Sequence, residues 1–191
     1  MRSPVGELLA TFAVVTDQLG VPWYLFGAQA ALLYGAARLT ADVDVTVDLG
    51  ERPTGILVDA LVAAGFALRV SDVDDFVART RVVPLVHTAS GIPIDVVLAG
   101  PGPEAAFLAC ARATDVGGAS VPVASPEDLI AMKVLAARAK DVDDARAIIA
   151  AQHDRLDLVR LRETVRLLES ALDQTDLTPL LEELLARPRG R

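Results

Sequence analysis

The amino-acid sequence predicts an α+β protein: a mixed sheet flanked by helices, followed by a purely helical C-terminal region. Three observations predict it. Apolar and polar residues alternate strictly over 42–48, apolar residues recur at helical spacing over 5–19, and after Ala124 only helical patterns follow. Residues 1–124 are therefore assigned to the α/β core and 125–191 to a helical region packed on it.

Each element has its own justification. In 5–19, Leu8, Leu9, Phe12, Val15 and Leu19 form a helical stripe that Gly20 ends. Residues 22–26 are a short apolar strand, and Gly27 turns the chain into a helix of small residues over 28–37. In 42–48, Val43, Val45 and Val47 face one way and Asp42, Asp44, Thr46 and Asp48 the other. A helix over 52–64 closes at Gly65. Strands follow at 66–70, 81–88 and 92–98, the last two joined at Ser90-Gly91 as a hairpin. Residues 104–113 read as helix and 119–123 as a last edge strand. Ser125-Pro126-Glu127-Asp128 is a helix start, with a capping hydroxyl, Pro at the first position and acid in the first turn. Helices are expected at 126–139, 142–152, 156–173 and 176–186, the third turning Leu158, Leu161, Val165, Leu168 and Leu172 inward.

Composition narrows the function. A chain of 191 residues, 52% of them apolar, fills one core. No stretch spans a membrane, and the apolar segment 8–15 is too short, beside Glu7 and Asp17, for a signal peptide. Cys110 has no partner for a disulfide within the chain, so a cytoplasmic location is expected. A net charge of -8 argues against nonspecific coating of nucleic acid but leaves room for a local arginine-lined groove. Arg155, Arg162 and Arg166 fall on one face of the 156–173 helix, with Arg160 and Arg146 nearby. The plainer reading, which the sequence favours, is a solvated face whose arginines pair with Glu163 and Glu169. No aromatic platform for single-stranded bases is visible.

Chemistry concentrates on a few carboxylates. Asp42 and Asp44, two apart in a strand, point to one face and can share a divalent cation. Asp is disfavoured in strands, so a strand that keeps several needs a reason. The alternative is a solvated face on an edge strand, and Asp-Val-Asp recurs at 72–74 and 141–143. Only 42–44 lies in an alternating strand behind a strand, a glycine turn and a helix. Asp95, a lone charge in the apolar run 92–98, is the candidate third carboxylate, and its alternative is an edge-strand Asp paired with an arginine. Asp48 is second choice. Gly27 and Ala28 would let helix amides approach phosphate, or simply form a packing turn. Lys occurs only at 133 and 140 in a chain that otherwise uses Arg, and Lys133 lies in an apolar helical run. It is either a compact phosphate contact or a side chain snorkelling at the helix edge. Asp141 reads as the N-cap of the next helix, with Asp144 completing a capping box, while also serving the site; Arg138 and Asp144 are reserves.

The run Leu25-Phe26-Gly27-Ala28 through Tyr34-Gly35-Ala36-Ala37-Arg38-Leu39-Thr40-Ala41-Asp42-Val43-Asp44 resembles the signature of the DNA polymerase β-like nucleotidyltransferase superfamily. The spacing of Arg38, Thr40, Asp42 and Asp44 is similar to that of AbiEii-type toxins and related minimal nucleotidyltransferases of toxin–antitoxin systems. So is the later run from Ser125 through Lys133, Arg138 and Asp141 to Asp144. The resemblance covers roughly 22–150 and departs at Ala28, where the family usually has Ser or Gly. It implies a minimal nucleotidyltransferase fold with a C-terminal helical bundle, and Mg²⁺-dependent transfer of a nucleotide from NTP to RNA, specifically tRNA. It also implies a cognate antitoxin as partner. Asp42, Asp44 and Asp95 would bind Mg²⁺, with Asp95 as base. Gly27 and Ala28 would admit the triphosphate, Lys133 would contact it, Asp141 would position substrate or Lys133, and Arg38 and Thr40 would flank the nucleotide. The alternatives are a protein or small-molecule acceptor, and a noncatalytic binding member of the fold.

Overall fold

The computed structural model describes residues 1–37, 40, 42–100 and 102–186. It opens with helix α1 (Pro4–Leu19), whose Ser3 cap accepts a hydrogen bond from the Gly6 amide and whose end is set by Gly20 at φ 62. Strand β1 (Trp23–Phe26) runs directly into α2 (Gly27–Leu33), followed by β2 (Val43–Val47) and α3 (Thr54–Ala63). Then come β3 (Phe66–Leu68), α4 (Val73–Thr80), β4 (Val82–His87), β5 (Ile92–Leu98), α5 (Glu104–Cys110), β6 (Arg112–Val116) and β7 (Ala119–Val123). The helical region is α6 (Pro126–Ala136), α7 (Ala139–Gln152), a 3₁₀ turn (His153–Arg155), α8 (Leu158–Leu172) and α9 (Leu177–Ala186).

The strands form one sheet in the order β3-β4-β5-β2-β1-β7-β6. β2 pairs parallel with β5 and β1 parallel with β7, while the other neighbours are antiparallel, so the sheet is mixed as expected. Opposed residues share a face. Trp23, Val47, Val45, Val43 and Ile94 therefore line one side, where Phe12 of α1 meets the edges of Trp23 and Phe66 at ring separations of 4.9 and 6.4 Å. Phe26, Asp44 and Asp95 share the other side. One face is thus sealed by α1 and α3, and the chemistry-bearing residues stand on its reverse.

The helices of the C-terminal region pack Leu129, Ile130 and Val134 against Ile148, Leu161, Val165 and Leu181, all fully buried. Ser125 caps α6 as predicted, accepting from the Asp128 amide. The buried Asp128 carboxylate accepts from the Ser125 hydroxyl and from Arg160 of α8, and the Asp157 amide donates to Glu127 at 2.9 Å. A charge this deep needs a partner, so Arg160 belongs to the joint between α6 and α8 and not to a solvent-facing groove. Arg162 pairs with Glu182 of α9, and Glu169 accepts from Thr178. The expected pairing with Glu163 and Glu169 is corrected for two of the arginines: Arg162 pairs with Glu182, and Arg160 with Asp128. Among the described residues, no helix is long and apolar enough to cross a membrane.

Several expectations need correction. The helix expected over 104–113 ends at Cys110, and β6 follows it, so β7 is not the edge strand. Gly117 and Gly118, at φ 60 and 87, close a β6–β7 hairpin. Helix α4 lies between the expected strands 66–70 and 81–88, where no element is expected: Asp72 accepts from the Asp75 amide and starts it. α6 stops at Ala136, because Ala137 turns left-handed at φ 49, and α7 begins at Ala139. Asp141 consequently lies inside the first turn of α7 and does not cap it; Arg138 occupies the cap position. Leu172 is half exposed at the end of α8 and does not join the inward stripe.

Candidate active site

Sheet register assembles the site. Phe26 stands opposite Asp44, Asp44 opposite Asp95, and Asp95 opposite Pro84, making one transverse row across β1, β2, β5 and β4. The Arg69 amide donates to the Pro84 carbonyl, and its guanidinium pairs with Asp95, so Arg69 ends the row. Both β2 and β5 are interior strands. That removes the edge-strand alternative for Asp44, whereas Asp42 precedes β2 and is exposed, so the strand begins one residue later than expected. For Asp95 it leaves an arginine pair on an interior strand.

The carboxylates sit close enough to influence one another. Burial pushes the Asp44 carboxyl above its ordinary value, and the neighbouring charges of Asp95 and Asp42 push it further. Lys133 and Arg138 act in the opposite sense on the same group, which brings the α6–α7 joint up to the carboxylates. A cleft of about 320 Å³ lies between them, lined by Phe26, Gly27, Ala28, Thr40, Asp42 and Asp44 on one side. Leu129, Met132, Lys133, Arg138, Lys140 and Asp141 line the other. It thus gathers Gly27, Ala28, Thr40, Asp42, Asp44, Lys133 and Asp141 from the residues singled out in the sequence. Asp95 adjoins Asp44 but is turned toward Arg69. Arg38 lies outside the described residues. Asp48 accepts from the Gly50 amide at 2.8 Å and stabilises a turn instead.

Gly27 has a specific steric duty. Its φ is 69, and a Cβ there would overlap the Asp44 carboxylate. The glycine therefore leaves room for the acid as well as for anything entering the cleft. Gly27→Ala is expected to lower the melting temperature and to reduce turnover about tenfold or more, since the strained backbone and the displaced Asp44 act together. Unchanged melting and unchanged turnover would show that the turn relaxes without moving Asp44.

Lys133 is neither snorkelling nor solvated. Its ammonium is buried and donates to Asp141 at 2.9 Å and to Asp144 at 2.8 Å. Arg138 donates to the other Asp141 oxygen at 2.5 Å while most of its own side chain is exposed. Burial alone would raise the Asp141 pKa. The hydrogen bonds from Arg138 and Lys133 more than offset it and hold the carboxyl below its usual value. Asp141 thus anchors two cations at the cleft wall. Two residues beside the candidate site are not marked by the sequence: Arg69, which pairs with Asp95 and carries no local signal, and Lys140, which lines the cleft and stands out only by its rarity.

The donor set fits a hard divalent cation: Asp42, Asp44 and Asp95 offer only oxygen, and Asp44 carries the accumulated negative charge that such an ion relieves. As the side chains stand, no three His, Cys, Asp or Glu among the described residues are arranged as a metal site, with Asp95 engaged by Arg69.

Residues 8–189 match the family model of the nucleotidyl transferase AbiEii toxin, type IV toxin–antitoxin system. No curated protein sequence matches the chain. Among solved structures, the antibiotic-resistance factor ANT(2'')-Ia in solution shares 16% identity over 91% of this chain and 95% of its own, with a TM-score of 0.61. The crystal structure of ANT(2'')-Ia with adenylyl-2''-tobramycin shares 18% over 98% and 100%, with a TM-score of 0.51. An antigenic nucleotidyltransferase-like protein from Paracoccidioides brasiliensis shares 18% over 95% and 94%, with a TM-score of 0.52. At this identity the likeness is one of fold.

Proposed function

Since this chain belongs to the nucleotidyl transferase AbiEii toxin family, we propose that it is a Mg²⁺-dependent enzyme that transfers a nucleotide from NTP to the end of an RNA, with tRNA as the natural acceptor. It would act in the cytosol as the toxin of a pair, held in check by a cognate antitoxin. The observation that carries this reading is the register of Asp44 against Asp95 beside a cleft whose opposite wall presents cations.

Asp42, Asp44 and Asp95 would hold the metal, which when bound neutralises the triphosphate and the departing pyrophosphate. Gly27 and Ala28 keep the floor of the cleft low enough for phosphate, and Thr40 flanks it. Lys133, fixed by Asp141 and Asp144, sets a positive charge against the leaving end, and Arg138 reinforces it. Asp95 accepts the proton of the acceptor hydroxyl as the hydroxyl oxygen bonds to the α-phosphorus. The bond from that phosphorus to the bridging oxygen breaks, and pyrophosphate leaves. Ala28 cannot supply a hydroxyl to a phosphate, so the backbone of the turn and Lys133 carry that duty here.

The test is incubation with each α-labelled NTP, Mg²⁺ and total RNA, comparing the wild type with Asp42→Ala and Asp44→Ala. Label entering an RNA band only with the wild type is the expected result. Label on protein or on a small molecule would replace the acceptor but keep the chemistry. No label with any NTP would overturn the enzymatic reading in favour of a noncatalytic member of the fold.

A further inference from the structure

The transverse row has two ends with different chemistry. Its Phe26 end opens on the cleft, where Gly27, Lys133 and Arg138 gather. Its other end runs over Asp95 and Pro84 to Arg69, away from that cleft. In phosphoryl-type displacements the attacking and leaving oxygens lie roughly in line across the phosphorus. A leaving group drawn toward Lys133 therefore requires the attacking hydroxyl to approach from the Asp95 side. The side chain waiting there is Arg69.

We infer that Arg69 is the acceptor-side anion contact, a guanidinium that bridges Asp95 and a phosphodiester of the acceptor strand next to the reacting hydroxyl. The inference rests on the nucleotidyltransferase reading and assigns that site a substrate-recognition residue. Three features support it. A guanidinium has five N–H donors in a planar fork, and the ion pair with Asp95 engages one of its nitrogens. The side chain is 37% exposed, so its outer edge reaches solvent. Arg69 is held at its root by the hydrogen bond of its amide to Pro84 at 3.0 Å, which fixes it beside the row. In a chain of net charge -8, a guanidinium at the acceptor mouth supplies local attraction for one phosphate where the global field supplies none.

The experiment measures binding of a short fluorescent oligoribonucleotide with a free 3′ hydroxyl by anisotropy, in the presence of a nontransferable NTP analogue. NTP affinity is measured separately. Arg69→Ala is expected to weaken oligonucleotide binding about tenfold while leaving NTP affinity within about twofold of wild type. Arg69→Lys should regain part of the loss, because an ammonium attracts the phosphate without the fork. An oligonucleotide whose last linkage is a neutral methylphosphonate should bind the wild type as weakly as the ordinary one binds Arg69→Ala. Arg79→Ala, which removes an exposed pair with Asp75 on α4, should bind like wild type. Wild-type oligonucleotide affinity in Arg69→Ala would overturn the inference. So would indifference to the methylphosphonate, or a matching loss of NTP affinity, which would mean that Arg69 only holds Asp95 in place. A wild type that binds NTP but no oligonucleotide would overturn it too, while the nucleotidyltransferase reading stands. Failure of the wild type to bind NTP would bring down that reading and the inference with it.

Discussion

Asp44→Asn is expected to cut nucleotidyl transfer about 10³-fold or more and, at neutral pH, to raise the melting temperature. The first effect follows from position: Asp44 stands in the row between Phe26 and Asp95 and lines the cleft. The second follows from charge. Burial raises the Asp44 pKa above its ordinary 3.8, and Asp95 and Asp42 raise it further. A carboxyl in that state binds its proton more tightly in the folded than in the unfolded chain. Its favourable contribution is complete below the ordinary value and is lost as pH climbs through the raised one. At neutral pH the ionised Asp44 works against the fold, and the isosteric amide removes that penalty. Thermal melts without divalent cations, from about pH 4 to about pH 8, should show the two proteins converging at the acid end, with the variant higher at the neutral end. A variant that melts lower at neutral pH would show that the carboxylate is held by favourable partners. Normal transfer by the variant would remove Asp44 from the chemistry.

Lys133→Met is expected to destabilise the fold by about 3–5 kcal/mol, the largest stability effect of any substitution considered. Met fills the space of the aliphatic stem, so lost volume is not the cause. The cause is that Asp141 and Asp144, 1% and 4% exposed, lose the ammonium that lies within 2.9 Å of each. Arg138 still reaches Asp141, but from solvent. Urea unfolding of three proteins checks this. The wild type should be most stable and Lys133→Met least. Lys133→Met combined with Asp141→Asn and Asp144→Asn should recover much of the difference, because it removes the two carboxylates that faced the lost ammonium. Transfer should stay lost in the combined variant. A single variant as stable as the wild type would show that water reaches these carboxylates. The pH dependence has the opposite sign to that of Asp44. The pKa of Asp141 is depressed in the folded state, so its contribution is present above the ordinary carboxylate value and fades as pH falls through the depressed one.

Much of the cleft's lining is legible in the sequence. The alternation around Val43, Asp44 and Val45 named the strand and its two faces, and the apolar run around Asp95 marked a charge in need of a partner. What escaped was junction chemistry. The hairpin at Gly117-Gly118 was hidden because the preceding Ala-rich stretch reads as helix, and β6 has few of the branched apolar residues that announce a strand. The α6–α7 break was hidden because Ala137 has no sequence mark of a left-handed turn, a conformation that glycine usually signals. That break shifted the reading of Asp141 from helix cap to anchor of two cations.

By itself the sequence determined most of the elements and their buried faces, since the periods of strand and helix are local properties of consecutive residues. It also determined which residue types were available for chemistry. The tertiary structure alone decided who meets whom: Asp44 with Asp95, Lys133 with Asp141 and Asp144, Arg69 with Asp95. Those partners are distant in the chain, and their register comes from how strands pair and helices dock, which no local pattern records.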